Sequence, residues 1–413
     1  MSKLDELIKE YCPDGVEYKT IGEIAVDIYR GSGIKRDQVT DEGIPCVRYG
    51  EIYTTYNLWF SECSSYTKLE YVSTPKFFEH GDILFAITGE SVEEIAKSIA
   101  YIGNEKCLTG GDIVVLKHNQ DPKYLSYALS TVDAQLQKSK GKVKSKVVHS
   151  SVPAIKEIVL PVPPLEVQRE IVRVLDKFTL LTAELTAELT ARKKQYEYYR
   201  NELLSFDNTV EFKPLGELFS YIRNGFVGTV TPFFTDEEHG VRYLEGTNIH
   251  DGVISDNEVK YVTKDFHEKY KRNELKADDI LMVQSGHIGE CAVVGKKYAG
   301  ANCHALIIMS NGGNINSRFV CHYFHSYEGY KRLKPAMTGG TVKHLLATKM
   351  KDITIPVPSM EMQDRIVRVL DDFESICSDL NIGLPAEIDA RQKQYEYYRD
   401  KLLSFKEKSI EEQ

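Results

Sequence analysis

The chain is 413 residues long, 42% hydrophobic and 27% charged, with a formal net charge of −9. That length calls for two or three globular domains, and the composition excludes wholesale disorder. No apolar run reaches the ~18 residues of a membrane span, residues 1–10 lack the apolar core of a secretion signal, and eight cysteines without a Cys-x-x-Cys pair argue against a disulfide scaffold or zinc ribbon, so a cytoplasmic protein is expected.

Residues 1–155 read as a mixed α/β domain. Short β-type runs at 44–49, 83–88 and 113–117 are punctuated by Gly and Asp, and a helical stretch follows at 122–137. Pro161, Pro163 and Pro164 close this region, and from Glu166 to Phe206 there is neither proline nor glycine. Apolar residues there recur at spacings of four and three, with Thr182 and Arg192 interrupting the seam: Ile171, Leu175, Phe178, then Leu185, Leu189, then Tyr196, Tyr199 and Leu203. Segment 156–207 is therefore predicted to hold a helix of about 60 Å. Residues 208–350 form a second α/β domain, with β-type runs at 281–284 and 305–309 and a helical stretch at 317–333. Residues 351–413 return to a helical seam of Ile366, Leu370, Phe373, Leu380, Tyr395, Tyr398 and Leu402, with a break or kink predicted around Asn381, Gly383 and Pro385.

The last segment repeats an earlier one. Residues 156–178 and 351–373 are identical at 14 of 23 positions, and residues 191–206 and 390–405 at 13 of 16. The offset grows from 195 to 199 between the blocks, a four-residue stutter that realigns the apolar stripe. Weaker echoes join 16–24 to 210–218 and 82–84 to 279–281. A period this long means a duplicated domain, not a solenoid.

Motifs for catalysis are missing. There is no GxxxxGK[ST] loop; the run from Gly31 to Arg36 is only superficially similar. No Asn/Asp-Pro-Pro-Tyr/Phe motif of an amino-methyltransferase occurs. Asp82, Glu94 and Lys97 have the wrong spacing for a nuclease carboxylate set. Cys303, His304, Cys321, His322 and His325 read as core cysteines and surface histidines rather than metal ligands. No catalytic or metal-binding residue is assigned.

Basic clusters are present, and they are duplicated. No acid lies between Asp133 and Glu157, a window holding Lys138, Lys140, Lys142, Lys144 and Lys146. Shifted by 195, it lands on a second acid-free window with Lys331, Arg332, Lys334 and Lys343, and His149 lands on His344. Lysine and arginine neutralise phosphate, so these residues are the candidate phosphate contacts in a net-acidic protein. Base reading needs Arg for guanine and Asn or Gln for adenine. The candidates are Arg30, Lys35, Arg36 and Arg48 in the first region. In the second they are Arg223, Asn224, Arg242, Asn248, Gln284, Ser285 and His287. The Tyr-Glu-Tyr-Tyr-Arg blocks at 196–200 and 395–399 invite a base-stacking reading, but their heptad phase points to helix–helix packing.

Cys12-Pro13-Asp14-Gly15-Val16-Glu17-Tyr18, Pro161-Val162-Pro163-Pro164-Leu165-Glu166 with Gln168, and Gln195-Tyr196-Glu197-Tyr198-Tyr199-Arg200 with Leu203-Leu204 together resemble the specificity subunit of type I restriction–modification systems. The resemblance covers essentially the whole chain. It implies an α+β protein: two α/β target-recognition domains with sheet cores, separated by two long helices packed as an antiparallel coiled coil with an internal pseudo-two-fold. It implies that the chain is not itself catalytic, and that it reads a bipartite site on double-stranded DNA. Two methyltransferase subunits and restriction subunits would dock on it, and S-adenosylmethionine, ATP and Mg2+ would belong to those partners.

Three alternatives stay open. A coiled-coil adapter would show duplicated heptads but would not need paired basic windows. A single-chain restriction–methylation enzyme would need a methyltransferase motif. A stand-alone DNA-binding protein would leave the near-identical helix blocks without a role.

Overall fold

A computed structural model describes residues 2–140, 142, 146–339, 343–379 and 382–408. The chain packs as two units: residues 1–184 with 389–413, and residues 185–388. This division cuts both long helical segments instead of setting them apart as the sequence segments do. Each unit combines one α/β region with the first part of one helical segment and the last part of the other.

In the first unit the core is a five-stranded sheet. Across it run Ala25–Arg30, Ile113–His118, Ile83–Ala86, Ser98–Tyr101 and Trp59–Phe60. All four residues of Ile83–Ala86 are buried, which is why that stretch is a continuous apolar run and not an alternating one. Strand side chains alternate between faces. Ile83, Phe85, Val114 and Leu116 accordingly pack with helical residues Tyr124, Leu125, Ile171 and Leu175. Leu84, Ala86, Ile113 and Val115 pack on the other face with Ile52, Phe78 and Tyr101. A second sheet runs Val39–Thr40, Ser65–Thr67, Ile44–Val47, Cys107–Thr109, Phe77–Phe78, with Cys46 parallel to Leu108.

Among the described residues the second unit repeats this plan without the two edge strands. Its large sheet runs Phe219–Asn224, Leu306–Asn311, Ile280–Val283, Cys291–Val293. Its smaller one runs Phe234–Thr235, Lys260–Thr263, Gly240–Leu244, Asn302–Cys303, and the third and fourth strands are again the parallel pair. Ile280, Met282, Ile307 and Met309 face the helical side, while Leu281, Val283 and Ile308 face the other.

The predicted helical stretches are each broken once, at the same place. Pro122–Leu129 gives way to Val132–Ser139, capped by Thr131, whose hydroxyl accepts from Ala134 N. Ser317–His325 gives way to Tyr327–Leu333, capped by Ser326, which accepts from Gly329 N. A hydroxyl that satisfies an orphan N–H starts a new helix in each case.

The long helix Leu165–Leu203 is unbroken over 39 residues. Its counterpart is two helices, Met360–Ser378 and Leu384–Leu402, interrupted where the glycine and proline predict a break. Leu380, predicted on the seam, lies outside the described residues. Buried Gln168 and Gln363 dock these helices in the same way. Gln168 accepts from Asp121 N at 3.0 Å and donates to Pro163 O at 2.7 Å, and Gln363 accepts from Asn316 N at 2.9 Å and donates to Pro358 O at 2.8 Å.

Part of the predicted seam is corrected. Phe178 stacks on Tyr398 in the first unit and Tyr199 lies against Phe373 in the second, which is helix–helix packing. Tyr196 and Tyr395 instead turn to the globular domains. Tyr196 Oη is 3.5 Å from His322 Nδ1, and the Tyr395 ring is 6.2 Å from that of Tyr127. A helix flanked by a partner helix and a domain needs a wider apolar face than a two-residue heptad seam. Ile171, Leu175, Ile366 and Leu370 likewise enter the domain cores. Among the described residues no helix is long and apolar enough to cross a membrane.

Candidate nucleic-acid interface

Both large sheets open a groove at the same strand end. The strand Ala25–Arg30 leads into Gly31, whose N–H donates to Ile113 O at 2.8 Å; Phe219–Asn224 leads into Gly225, whose N–H donates to Leu306 O at 2.8 Å. A side chain fits neither glycine. A methyl on Gly31 would collide with the Gly110 carbonyl oxygen, and one on Gly225 would stand 2.6 Å from Cys303 O. The first groove, about 960 Å3, is lined by Arg30, Arg36, Arg48, Ile34, Tyr49 and Asp112 among others. The second, about 550 Å3, includes Arg223, Asn224, Phe226, Tyr270 and Arg272.

Four of the candidate arginines are held by partners. Arg30 donates to Asp112 Oδ1 at 2.6 Å and to Gly111 O at 2.5 Å. Arg48 reaches the buried Glu51 at 3.2 Å, and Glu51 accepts from Ser65 Oγ at 2.6 Å. The Arg223 guanidinium lies 3.8 Å from the Tyr221 ring centre. Arg242 pairs with Asp256, which also binds Lys297. Lys35 and Arg36 are exposed.

The lysine windows return to the same sheet end. In the first unit Ser150 N donates to Ile87 O at 2.8 Å, and Ile87 N donates to Asp112 O at 3.0 Å, so the window passes two hydrogen bonds from the acid that holds Arg30. In the second, Leu345 N donates to Gln284 O at 2.9 Å. Lys140 and Lys146 are exposed and Lys142 is half-buried; Lys144 lies outside the described residues. Lys331 is exposed near Glu328, and Lys334 and Lys343 line one shallow cavity of about 260 Å3.

Three candidates are corrected. Lys138 is only 5% exposed, on the helix Val132–Ser139, with its Nζ donating to Leu129 O at 2.8 Å and Ser98 Oγ at 3.2 Å. Burial without an acid pushes its pKa down to about 7, so it offers phosphate neither access nor a firm charge. Arg332 is half-buried, donating to Thr354 Oγ1 at 3.0 Å with its guanidinium 4.6 Å from the Phe212 ring centre. Asn248 is 3% exposed and fixes its own loop, accepting from Glu245 N at 2.8 Å and donating to Asn257 O at 2.7 Å.

A duplicated pair was missed. Thr88 Oγ1 lies 3.2 Å from His149 Nδ1, and Ser285 Oγ lies 2.6 Å from His344 Nδ1. The matching histidines were visible in the sequence shift; their hydroxyl partners, about 60 residues away, were not. His287 is exposed with its ring 6.3 Å from that of His250, and Gln284 is half-buried.

Cys303 and Cys321 are buried as expected, but His322, expected on the surface, is only 1% exposed and is held in a salt-bridge network. Asp371 accepts from Arg318 Nε at 2.8 Å and lies 2.7 Å from His322 Nε2, and Glu374 also binds Arg318. His322, Asp371 and Glu374 place their donor atoms within 4.8 Å of one another. The arginine already supplies the positive charge those carboxylates require.

Two sheet-cored units, each with an arginine-lined groove beside the same strand-end glycine, have the construction of a two-module nucleic-acid reader. The sequence profile of the type I restriction modification DNA specificity domain matches the chain twice, over residues 13–192 and 208–390. The chain belongs to that family. A type I restriction enzyme specificity subunit of Escherichia coli is 35% identical over 300 residues, 68% of this chain and 70% of that protein. A putative specificity subunit of Haemophilus influenzae is 32% identical over 277 residues, 64% and 68% of the two chains. The fold matches a type I restriction–modification S subunit from M. genitalium with a TM-score of 0.55 and 14% identity, covering 94% of this chain and 96% of that one. A chain from a structure of type I restriction–modification complex assembly matches with a TM-score of 0.62 and 15% identity, over 95% and 98% of the two.

Proposed function

We propose that this chain is the DNA-specificity subunit of a type I restriction–modification complex, non-catalytic itself, with each unit reading one half of a bipartite duplex site. The observation that carries the reading is the equivalence of the two strand ends: the same strand and the same obligatory glycine, with a groove beside each whose other walls differ, 48–54 and 110–112 in one unit and 270–273 in the other. A shared frame with divergent linings is what two unlike half-sites demand, since phosphates position a protein and base edges specify it. Two methyltransferase subunits dock on the duplicated helical segments and restriction subunits complete the assembly in the cytoplasm. S-adenosylmethionine, ATP and Mg2+ serve those partners.

The test is selection from a random-sequence duplex library by the full chain assembled with its methyltransferase. The expected product is a sequence in two parts with a fixed gap. Enrichment of one continuous motif, or of none, contradicts the proposal.

A further inference from the structure

Arg30 and Asn224 hold the same place in the two units. Each ends the first strand of its large sheet, and each precedes the glycine that bonds to Ile113 or Leu306. The next residues agree too, with Ser32 N donating to Thr109 O at 3.2 Å and Phe226 N to Cys303 O at 2.9 Å. Both Arg30 and Asn224 are exposed, and both line a groove. One step before Ile113 stands Asp112; one step before Leu306 stands Ala305. Where the strand-end residue is arginine, the neighbouring strand supplies a carboxylate; where it is asparagine, that carboxylate is gone.

The Arg30–Asp112 pair is 59% and 37% exposed, and a pair so exposed adds little stability. It does fix direction. Gly111 O and Asp112 occupy Nε and Nη2, which leaves Nη1 and the outer Nη2 hydrogen for two parallel bonds. That is the donor pattern that reads guanine O6 and N7, whereas an asparagine amide matches adenine N6 and N7. We infer that this strand-end position is a base-reading position in each unit: Arg30, aimed by Asp112 as a positioning residue, reads a guanine of one half-site, and Asn224 reads an adenine of the other. The inference rests on the chain being a DNA-specificity subunit.

Library selection with the full chain and its methyltransferase tests it. Arg30→Asn combined with Asp112→Ala should relax one guanine position of one half-site, by roughly 5- to 150-fold, the range of one bidentate pair. The other half-site, read by the untouched unit, stays unchanged and reports that the protein is folded. Asn224→Arg with Ala305→Asp should alter one adenine position of the opposite half-site. Asp112→Ala alone should weaken the same single guanine, with Asp112→Glu restoring part of the preference. Unchanged sequences in these variants, or loss spread over a whole half-site, overturn the inference. A wild-type complex that selects nothing overturns the functional reading beneath it, a distinct result.

Discussion

The ammonium of Lys138 lies 3.2 Å from Ser98 Oγ inside the core of the first unit. At the equivalent place in the second unit stand buried Leu333 and buried Cys291. One copy thus fills with methyl groups the space that the other fills with an amine.

Lys138→Leu is therefore expected to stabilise the first unit, by about 1–3 kcal/mol near pH 6, as a packed apolar residue replaces a buried charge. The folded pKa, about 7, lies below the ordinary 10.5. The unfolded state therefore binds the extra proton between those values, and wild-type stability rises with pH across that window. The gain should be largest below pH 7 and shrink toward pH 10. Thermal unfolding of both proteins at pH 6 and pH 9 checks it; a pH-independent difference would remove the buried amine as its cause.

Replacing Lys140, Lys142 and Lys146 with Gln should weaken binding to cognate and non-cognate duplexes alike. If all three meet phosphate, the slope of log K against log salt flattens by roughly 2.7. Lys138→Gln should leave that slope unchanged, because its amine does not reach the surface. An unaltered slope in the triple variant would exclude this window from the interface.

Gly31→Ala and Gly225→Ala should each damage one groove, since the added carbon meets backbone. Overpacking of this kind costs about 1–3 kcal/mol. Each variant should lose selectivity in one half-site and keep the other, as read by competition between half-site mutants of the cognate duplex.

Much of this fold was legible in the sequence, and for a physical reason. Duplication exposes itself by identity, and sheets buried on both faces leave continuous apolar runs such as 83–86 and 280–283. Helix breaks at Thr131 and Ser326 were not legible, because a hydroxyl caps a helix only if the chain turns there. Site residues divided along the same line. Chemistry named Arg30 and Asn224, but Asp112 is 82 residues from Arg30 and only the sheet register brings them together. Lys138 looked like its neighbours in a basic run, and its burial depends on which face of a short helix it occupies.

Residues 183–190 read Ala-Glu-Leu-Thr twice, within the unbroken helix Leu165–Leu203. One more copy adds ~6 Å and ~40° beyond a full turn. One base pair adds ~3.4 Å and ~35° to DNA. Rotational phase decides which side of the duplex a reader faces, so inserting Ala-Glu-Leu-Thr after Thr190 should keep both half-sites and widen the gap by one base pair. An unchanged gap would show that this helix does not set the spacing.

The most direct measurement exchanges residues 16–155 for the corresponding region of a relative with a different target, then maps methylated sites across a genome expressing the hybrid with its methyltransferase. Two independent readers predict that one half-site changes to that of the donor while the other half-site and the gap remain. Simultaneous change of both half-sites would contradict the account.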